Sequence, residues 1–217
     1  MANQDAAFGF RPVRHLSGGQ IRTEEYTIAS GYTGVVYTGS PVELVTGGNV
    51  ELGSVGETQL IGFFGGVFYT DPTTSKPTWS AYYPGSITAS DIVANVYADP
   101  QIIFEAQHDE TATVANNNHA NHDHVGTGGS TVTGQSTAEI DTSTYTTTAS
   151  GSFRQIGASK DPDNSDLTAA NSNAYVIPNT GEHGGKDIGI RRGRRRFRFW
   201  PTGISTGKVN RNIWSRW

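Results

Sequence analysis

Cysteine is absent from the 217-residue sequence. Without it, disulfides, thiolate metal sites and thiol nucleophiles are excluded. No apolar run approaches the ~20 residues that a membrane-spanning helix needs. The N-terminus also lacks the basic and apolar regions of a signal peptide. The sequence therefore predicts neither a membrane-embedded protein nor an exported one.

Helical periodicity is also lacking, whereas short runs rich in β-branched and aromatic residues recur between Gly, Pro, Asn and Asp. This pattern predicts an all-β fold, a small antiparallel sandwich or barrel with extended N- and C-terminal arms. The predicted strands lie in residues 23–30, 34–39, 41–47, 59–70, 92–98, 101–107, 152–159 and 173–178.

Two runs predict more local detail. In residues 101–107, Ile102, Phe104 and Ala106 alternate with the positions between them, as in a strand with one buried face. The sequence YADPQ at 97–101 predicts a tight hairpin connection from the preceding strand.

Bulky apolar side chains are few. With 27 glycines and 35% hydrophobic residues, we expect a thin core and some dependence on contacts between subunits. Residues 111–152 are the extreme case, since 16 of these 42 residues are Ser or Thr. A segment this polar cannot order itself by apolar burial, which favours an extended segment held by neighbouring subunits.

Positive charge is concentrated at one end of the chain. Residues 186–217 carry ten of the 16 Lys and Arg but one of the 20 Asp and Glu, a formal charge near +9 against −13 for the rest. Such asymmetry predicts a terminal arm with a partner of its own. We expect an N-terminal arm at 1–22, a β domain at 23–187 and a basic-aromatic C-terminal arm at 188–217.

The C-terminal arm is the strongest candidate for a binding site. Its guanidinium groups can pair with carboxylates while its rings fill pockets on a protein partner. The same composition can follow a phosphate backbone and stack bases, and composition alone does not separate the two. Prolines and aromatic residues at 69–85 predict a rigid second contact loop. The alternative is that these aromatic side chains form the core of a small barrel, and we expect Trp79 to be buried. The predicted partner-binding residues are Arg191, Arg192, Arg194, Arg195, Arg196, Phe197, Arg198, Phe199, Trp200, Trp214, Trp217, Tyr82 and Tyr83.

Two polar clusters have the composition of metal sites. His119, His122 and His124 are close enough in sequence to bind a transition metal, but their spacing and Asn-rich flank favour a solvated loop. The sequence DPDNSD at 161–166 fails the EF-hand pattern and predicts a turn whose Asp and Asn side chains bond to its own backbone. No catalytic constellation is apparent, so we expect no enzyme, no metal and no cofactor.

Residues 63–107, which include FFGGVFYTDPTTSKPTWSAYYPG, resemble a block from proteins encoded beside the major capsid gene of tailed double-stranded DNA bacteriophages, especially of marine and cyanobacterial hosts. NQDAAFGFRPV at 3–13, VGTGGSTVTGQSTAEID at 125–141 and IGASKDPDN at 156–164 fit the same family in the same order. The basic arm after Ile188 extends beyond the family's pattern, so the resemblance does not supply its role.

This resemblance implies a capsid decoration, or cement, protein. Such a protein clamps neighbouring major capsid subunits, and we expect a homo-oligomer, as a trimer, on the outer surface of the virion capsid, made in the host cytoplasm. An alternative is a head component whose basic C-terminal arm binds packaged DNA. A third is a metal-dependent hydrolase or carbohydrate-binding virion module that uses His119, His122 and His124.

Overall fold

A computed structural model describes residues 3–56, 60–112, 119–148 and 151–179. These residues form fourteen strands and no helix, which confirms the all-β prediction. A helix long and apolar enough to cross a membrane is accordingly not found in these ranges. The strands are β1 (Arg11–His15), β2 (Glu24–Thr27), β3 (Val36–Tyr37), β4 (Pro41–Leu44), β5 (Val50–Leu52), β6 (Leu60–Thr70), β7 (Pro77–Ser80), β8 (Tyr82–Tyr83), β9 (Val93–Tyr97), β10 (Ile102–Gln107), β11 (Asn121–Val125), β12 (Glu139–Thr146), β13 (Phe153–Ala158) and β14 (Asn173–Pro178).

Two six-stranded sheets make up most of the fold. Sheet 1 has the strand order β1-β10-β14-β13-β11-β12. Sheet 2 has the order β2-β9-β6-β4-β5, and β7 also pairs with β6. The short strands β3 and β8 form a third sheet. All of these strand pairs are antiparallel, in agreement with the predicted antiparallel architecture.

Sheets 1 and 2 pack against each other through an aromatic core. The Phe10 ring is stacked on Phe63 with centroids 4.5 Å apart and lies 4.8 Å from Phe153. The ring centroids of Phe104 and Phe63 are 4.3 Å apart. Each of these side chains is at most 1% exposed. Burial of one such ring stabilises the folded state by about 1.5–3 kcal/mol.

The opposite face of sheet 2 carries a second core. Successive residues of a strand point to opposite faces, so Phe63 contacts sheet 1 while Phe64 lies in the second core with Val67 and Val96. Tyr83 of β8 closes this core. The long strand β6 is therefore shared by both cores.

Part of the expected N-terminal arm belongs to the β domain. Phe10 lies in the aromatic core, and β1 pairs with β10 from Arg11 opposite Glu105 to His15 opposite Ile102. The Arg11 guanidinium also donates to the buried Glu105 carboxylate at 2.6 Å. Residues 10–15 are thus an edge of sheet 1 rather than a free arm.

The described part of the Ser- and Thr-rich segment folds within the β domain. It contains β11 and β12, and its hydroxyl and carboxylate groups bond to the backbone nearby. Asp123 Oδ1 accepts from both the N–H and the hydroxyl of Ser152 at 2.9 Å, and the Asp123 N–H donates to the Thr144 hydroxyl at 2.9 Å. These hydrogen bonds add to the burial of Ala138 and Ile140 in the aromatic core. The described part of the segment is therefore held by contacts within its own chain.

Residues 97–101 join the two sheets instead of forming a hairpin. β9 pairs with β2 and β6 in sheet 2, whereas β10 pairs with β1 and β14 in sheet 1. The turn itself is present, since the Ile102 N–H donates to Asp99 O at 3.1 Å. The prediction of one-sided burial for β10 is wrong, because Glu105 and Gln107 are 5% and 2% exposed. Both find partners: Glu105 pairs with an arginine and the Gln107 amide bonds to the N-terminal backbone.

The loop at 161–166 follows its prediction. Asp161 Oδ1 accepts from the Asp163 N–H at 3.1 Å, and Asp166 Oδ1 accepts from the Thr168 N–H at 2.9 Å. These are the local side-chain to backbone bonds that the sequence DPDNSD predicts.

Candidate functional site

Most of the predicted binding residues lie outside the described part of the chain. The structure describes Tyr82 and Tyr83, which form β8. The eleven predicted residues that lie outside it are Arg191, Arg192, Arg194, Arg195, Arg196, Phe197, Arg198, Phe199, Trp200, Trp214 and Trp217.

Tyr83 is a core residue, and Tyr82 is half-buried. The Tyr83 side chain is 0% exposed, and its hydroxyl donates to Tyr32 O at 3.0 Å and accepts from the Ile87 N–H at 3.3 Å. Burial raises the pKa of Tyr83 above its ordinary value, so the hydroxyl stays neutral. The Tyr82 ring stacks on Tyr37 with centroids 5.6 Å apart. Tyr83 therefore offers no surface to a partner, and Tyr82 offers only part of its ring.

The accessible aromatic residues of this block are Phe68 and Trp79. Trp79, which we expected to be buried, is 62% exposed, and Phe68 is 42% exposed. The two lie directly opposite each other on β6 and β7. Gly66 lies under the indole, since a Cβ added there would be 2.9 Å from Trp79 Cζ2. Glycine is required at this position for the indole to approach the strand so closely.

The pair lies on a part of sheet 2 that sheet 1 does not cover. Phe63 opposite Tyr97 and Phe68 opposite Val93 share one face of β6 and β9. The first pair packs against sheet 1, whereas the second lies further along the strands and is accessible. Phe68, Trp79 and Val93 therefore form an exposed apolar extension of an interior face, which we call the overhang patch.

Asp71 closes the β6–β7 hairpin that carries the overhang patch. Its carboxylate Oδ1 accepts from the N–H groups of Thr73 and Thr74 at 2.7 and 3.1 Å. Its backbone N–H donates to Lys76 O at 2.9 Å, and its carbonyl accepts from the Ser75 N–H at 2.8 Å. Such an Asx turn fixes the hairpin locally. The predicted rigid contact loop is thus a β-hairpin with an ordered tip.

Acidic groups border the overhang patch. The hydroxyl and N–H of Thr70 donate to the Asp91 carboxylate at 2.6 and 3.2 Å, and these bonds hold the pKa of Asp91 below its ordinary value. Asp71 lies in the hairpin turn, with Lys76 as the cation of the same turn. Glu25 is exposed on β2, two strands from β6. The patch therefore combines aromatic rings with nearby negative charge.

No protein-family model, curated protein or solved structure matches the chain. The candidate site is therefore assigned from its geometry. Phe68 had a signal in the sequence, because strand alternation places it on the face opposite Val67 and Tyr69. Trp79 had none, since its exposure depends on where sheet 1 ends over sheet 2.

The fold separates the histidine cluster. His122 and His124 lie in β11 and are 0% exposed, whereas His119 precedes the strand and is exposed. The prediction of a solvated loop is therefore wrong for His122 and His124. Among the residues that the structure describes, no group of three or more His, Cys, Asp or Glu side chains is placed to hold a metal ion.

A further buried imidazole, His108, links the strands of sheet 1. Its Nδ1 lies 2.8 Å from Ser172 O, and its Nε2 lies 3.1 Å from Gln155 Oε1. Near His108, the residue after β10 also contacts β12, the strand at one edge of sheet 1: the Asp109 N–H donates to Ile140 O at 3.1 Å. Sheet 1 therefore nearly closes on itself. Burial lowers the pKa of His108, so the ring is neutral at pH 7 and serves as a structural hydrogen-bonding group.

A Ser–His–Asp chain follows β1. His15 Nε2 lies 3.0 Å from Asp99 Oδ2, and its Nδ1 lies 3.0 Å from the Ser17 hydroxyl. Nδ1 also accepts from the N–H groups of Ser17 and Gly19 at 3.2 and 3.4 Å. Backbone and hydroxyl groups of the turn thus share Nδ1, and the imidazole ties this turn to Asp99.

Proposed function

We propose that this protein is a non-enzymatic structural component of a virion, which decorates and stabilises a phage capsid by clamping neighbouring major capsid subunits from the outer surface. The observation that carries the proposal is the overhang patch. It lies within residues 63–107, the block that resembles capsid decoration proteins.

An exposed aromatic pair on a rigid hairpin suits a contact with another protein. Contiguous apolar surface that a monomer leaves exposed marks interaction sites. Phe68 and Trp79 supply contact area with few rotatable bonds, so little side-chain entropy is lost on binding. Acidic neighbours such as Asp91 add a polar rim that favours partners with basic groups.

The proposed mechanism is mass action. A protein that binds the assembled shell, and not its separate subunits, stabilises the shell by its own binding free energy. A homotrimer presents three patches at once, and such multivalency converts weak single contacts into tight attachment.

Co-sedimentation with DNA-free shells that lack this protein tests the proposal. We expect the parent chain to pellet with the shells and Phe68→Ser/Trp79→Ser to bind at least about tenfold more weakly, as for loss of a contact hot spot. Leu16→Ser/Val132→Ser is the matched control, because these side chains are 61% and 93% exposed elsewhere. Failure of the parent chain to bind the shells would contradict the proposal.

A head component that binds packaged DNA is the second candidate, favoured by six arginines within residues 191–198. It predicts an affinity for duplex DNA that falls steeply as salt is raised, because binding releases counterions. The formal charge near −13 of residues 1–185 opposes such binding. An affinity that does not change with salt would exclude this candidate.

A further inference from the structure

We propose that the C-terminal segment of the same chain, RRRFRFW at 194–200, adds to the open edge of β7 as a further strand and covers the overhang patch of the free protein. The contact itself does not depend on a capsid. Its regulatory consequence, that a shell must displace the arm to reach the patch, rests on the proposed function.

β7 presents an open edge beside the patch. Within the described residues β7 pairs with β6 alone. In an antiparallel ladder, residue pairs that exchange hydrogen bonds alternate with pairs that do not. The bond from the Asp71 N–H to Lys76 O shows that Asp71 and Lys76 are a hydrogen-bonded pair. Counting back along the ladder, Phe68 and Trp79 are a non-hydrogen-bonded pair, so the N–H and C=O of Trp79 point away from β6. The edge therefore offers a donor and an acceptor next to the exposed indole.

The C-terminal segment has the sequence pattern of a strand for this position. In RRRFRFW, Phe197 and Phe199 alternate with Arg196 and Arg198. In a strand the two phenylalanines share one face, and the two arginines share the other. Pairing along β7 lets the phenylalanines continue the row of Phe68 and Trp79, in the manner of strand addition to a sheet edge.

Two other edge strands, β12 and β1, also expose large apolar residues. The β12 edge exposes Tyr145, but part of it is already bonded to Asp109, through Ile140 O and the Thr142 N–H.

Charge distinguishes β7 from the β1 edge. Val13 in β1 and Leu16 directly after it are exposed, but β1 carries Arg11 and Arg14, which repel an arginine-rich segment. β7 itself has no charged residue. Asp71 and Lys76 share its hairpin turn, and Asp91 lies across β6 on the β9 side. The β7 edge therefore lacks the repulsion that the arginines of β1 supply.

The C-terminal segment can reach β7 of its own chain. The last described residue, Asn179, directly follows β14. Because β14 and β10 are antiparallel, the C-terminal end of β14 lies beside the start of β10, which follows the 97–101 turn. From this turn, β9 runs back to Val93 at the patch, a distance of about 20 Å at the rise of a β-strand. Residues 180–193 can span up to about 45 Å when extended. A tether of this kind gives an effective concentration in the millimolar range, which favours a chain's own segment over that of a second copy.

Hydrogen exchange of the full chain, without shells, tests the proposal. We expect the backbone amide of Trp79 to exchange about tenfold more slowly in the parent chain than in Phe197→Ser/Phe199→Ser, because the added strand protects it. Trp214→Ser/Trp217→Ser removes two rings outside the alternating stretch and should retain the protection. The backbone amides of β1 should exchange at the same rate in all three proteins. Equal exchange at Trp79 in the parent and the Phe197→Ser/Phe199→Ser chains would overturn the proposal.

Concentration and crosslinking separate a chain's own segment from that of a second copy. Protection that persists on dilution supports the proposal, whereas protection that is lost on dilution assigns the edge to a second copy and overturns it. Because the sequence has no cysteine, Thr78→Cys/Arg198→Cys provides a unique disulfide pair. We expect it to form within monomers faster than Val13→Cys/Arg198→Cys. Since no shell is present, failure here leaves the shell-binding test unaffected.

Discussion

Glu139 is a carboxyl group whose surroundings oppose its ionisation. It is half-buried in β12, and its Oε1 has no hydrogen-bond partner among the described residues. Burial, together with the carboxylates of Asp5 and Asp109, raises the pKa of Glu139 from 4.5 to about 7. The folded state therefore binds this proton more tightly than the unfolded chain does. The stability that it contributes is full below pH 4.5 and is lost as the pH rises through about 7.

Glu139→Gln should remove this pH dependence. The amide has a similar shape and no charge, so we expect the variant's melting temperature to match the parent near pH 4 and to exceed it by a few degrees near pH 8. Thermal unfolding across this range measures the difference. Glu110→Gln at an exposed position is the control and should follow the parent throughout. A constant offset between Glu139→Gln and the parent at every pH would show that ionisation of Glu139 is not the cause.

Single residues show where sequence reasoning stops. The faces of Phe68 and Val67 follow from strand alternation, which depends on neighbours in the chain. The exposure of Trp79 and the burial of His122 do not, because each depends on a strand distant in sequence. An indole is usually interior and an Asn-flanked histidine is usually solvated, so residue type gave the wrong prediction at both positions.

At the scale of elements, the strands that matched their predictions are those with apolar or β-branched runs. β14 occupies residues 173–178 as predicted, and β6 and β10 lie within their predicted runs. Six strands were missed: β1, β5, β7, β8, β11 and β12. RPVRH and NHDHV lack that signal. EIDTSTYT has it, with Ile140 and Thr142 in alternation, but lies in the Ser- and Thr-rich segment that we expected to be extended. For β1 and β11, the partners in sheet 1 make them strands, and this tertiary effect has no local trace.

The segment before β1 provides a test at this scale. Phe10 is 1% exposed and touches two other rings, so Phe10→Ala should lower the free energy of unfolding by about 3–5 kcal/mol. Val13→Ala, three residues later at a 40% exposed position, should change it by less than about 0.5 kcal/mol. Urea unfolding measures both. If residues before 22 were a free arm, the two substitutions would have equally small effects.

The whole molecule has two cores joined by one strand. Phe63 and Phe64 are neighbours on β6 but belong to different cores. If β6 detaches, both cores are exposed at once. The described domain should therefore unfold as one cooperative unit.

Phe63→Ala and Phe64→Ala test this coupling. Each should destabilise the domain by about 3–5 kcal/mol and shift one calorimetric transition to lower temperature without splitting it. Phe68→Ala on the same strand is the control, since its side chain is 42% exposed and should change the midpoint little. Two separate transitions in either core variant would show that the cores unfold independently.

The pairing of β1 with β10 has a consequence for the protein during its synthesis. Arg11 is separated by 94 residues from Glu105, which it contacts. At about 5–20 residues per second, the ribosome makes β1 roughly 5–20 s before its partner strand exists. During that interval Phe10 is an exposed ring on a nascent chain. Arg11 and Arg14 next to it discourage edge-to-edge pairing with other nascent chains, so the charges at the start of the domain protect it before they serve the folded state.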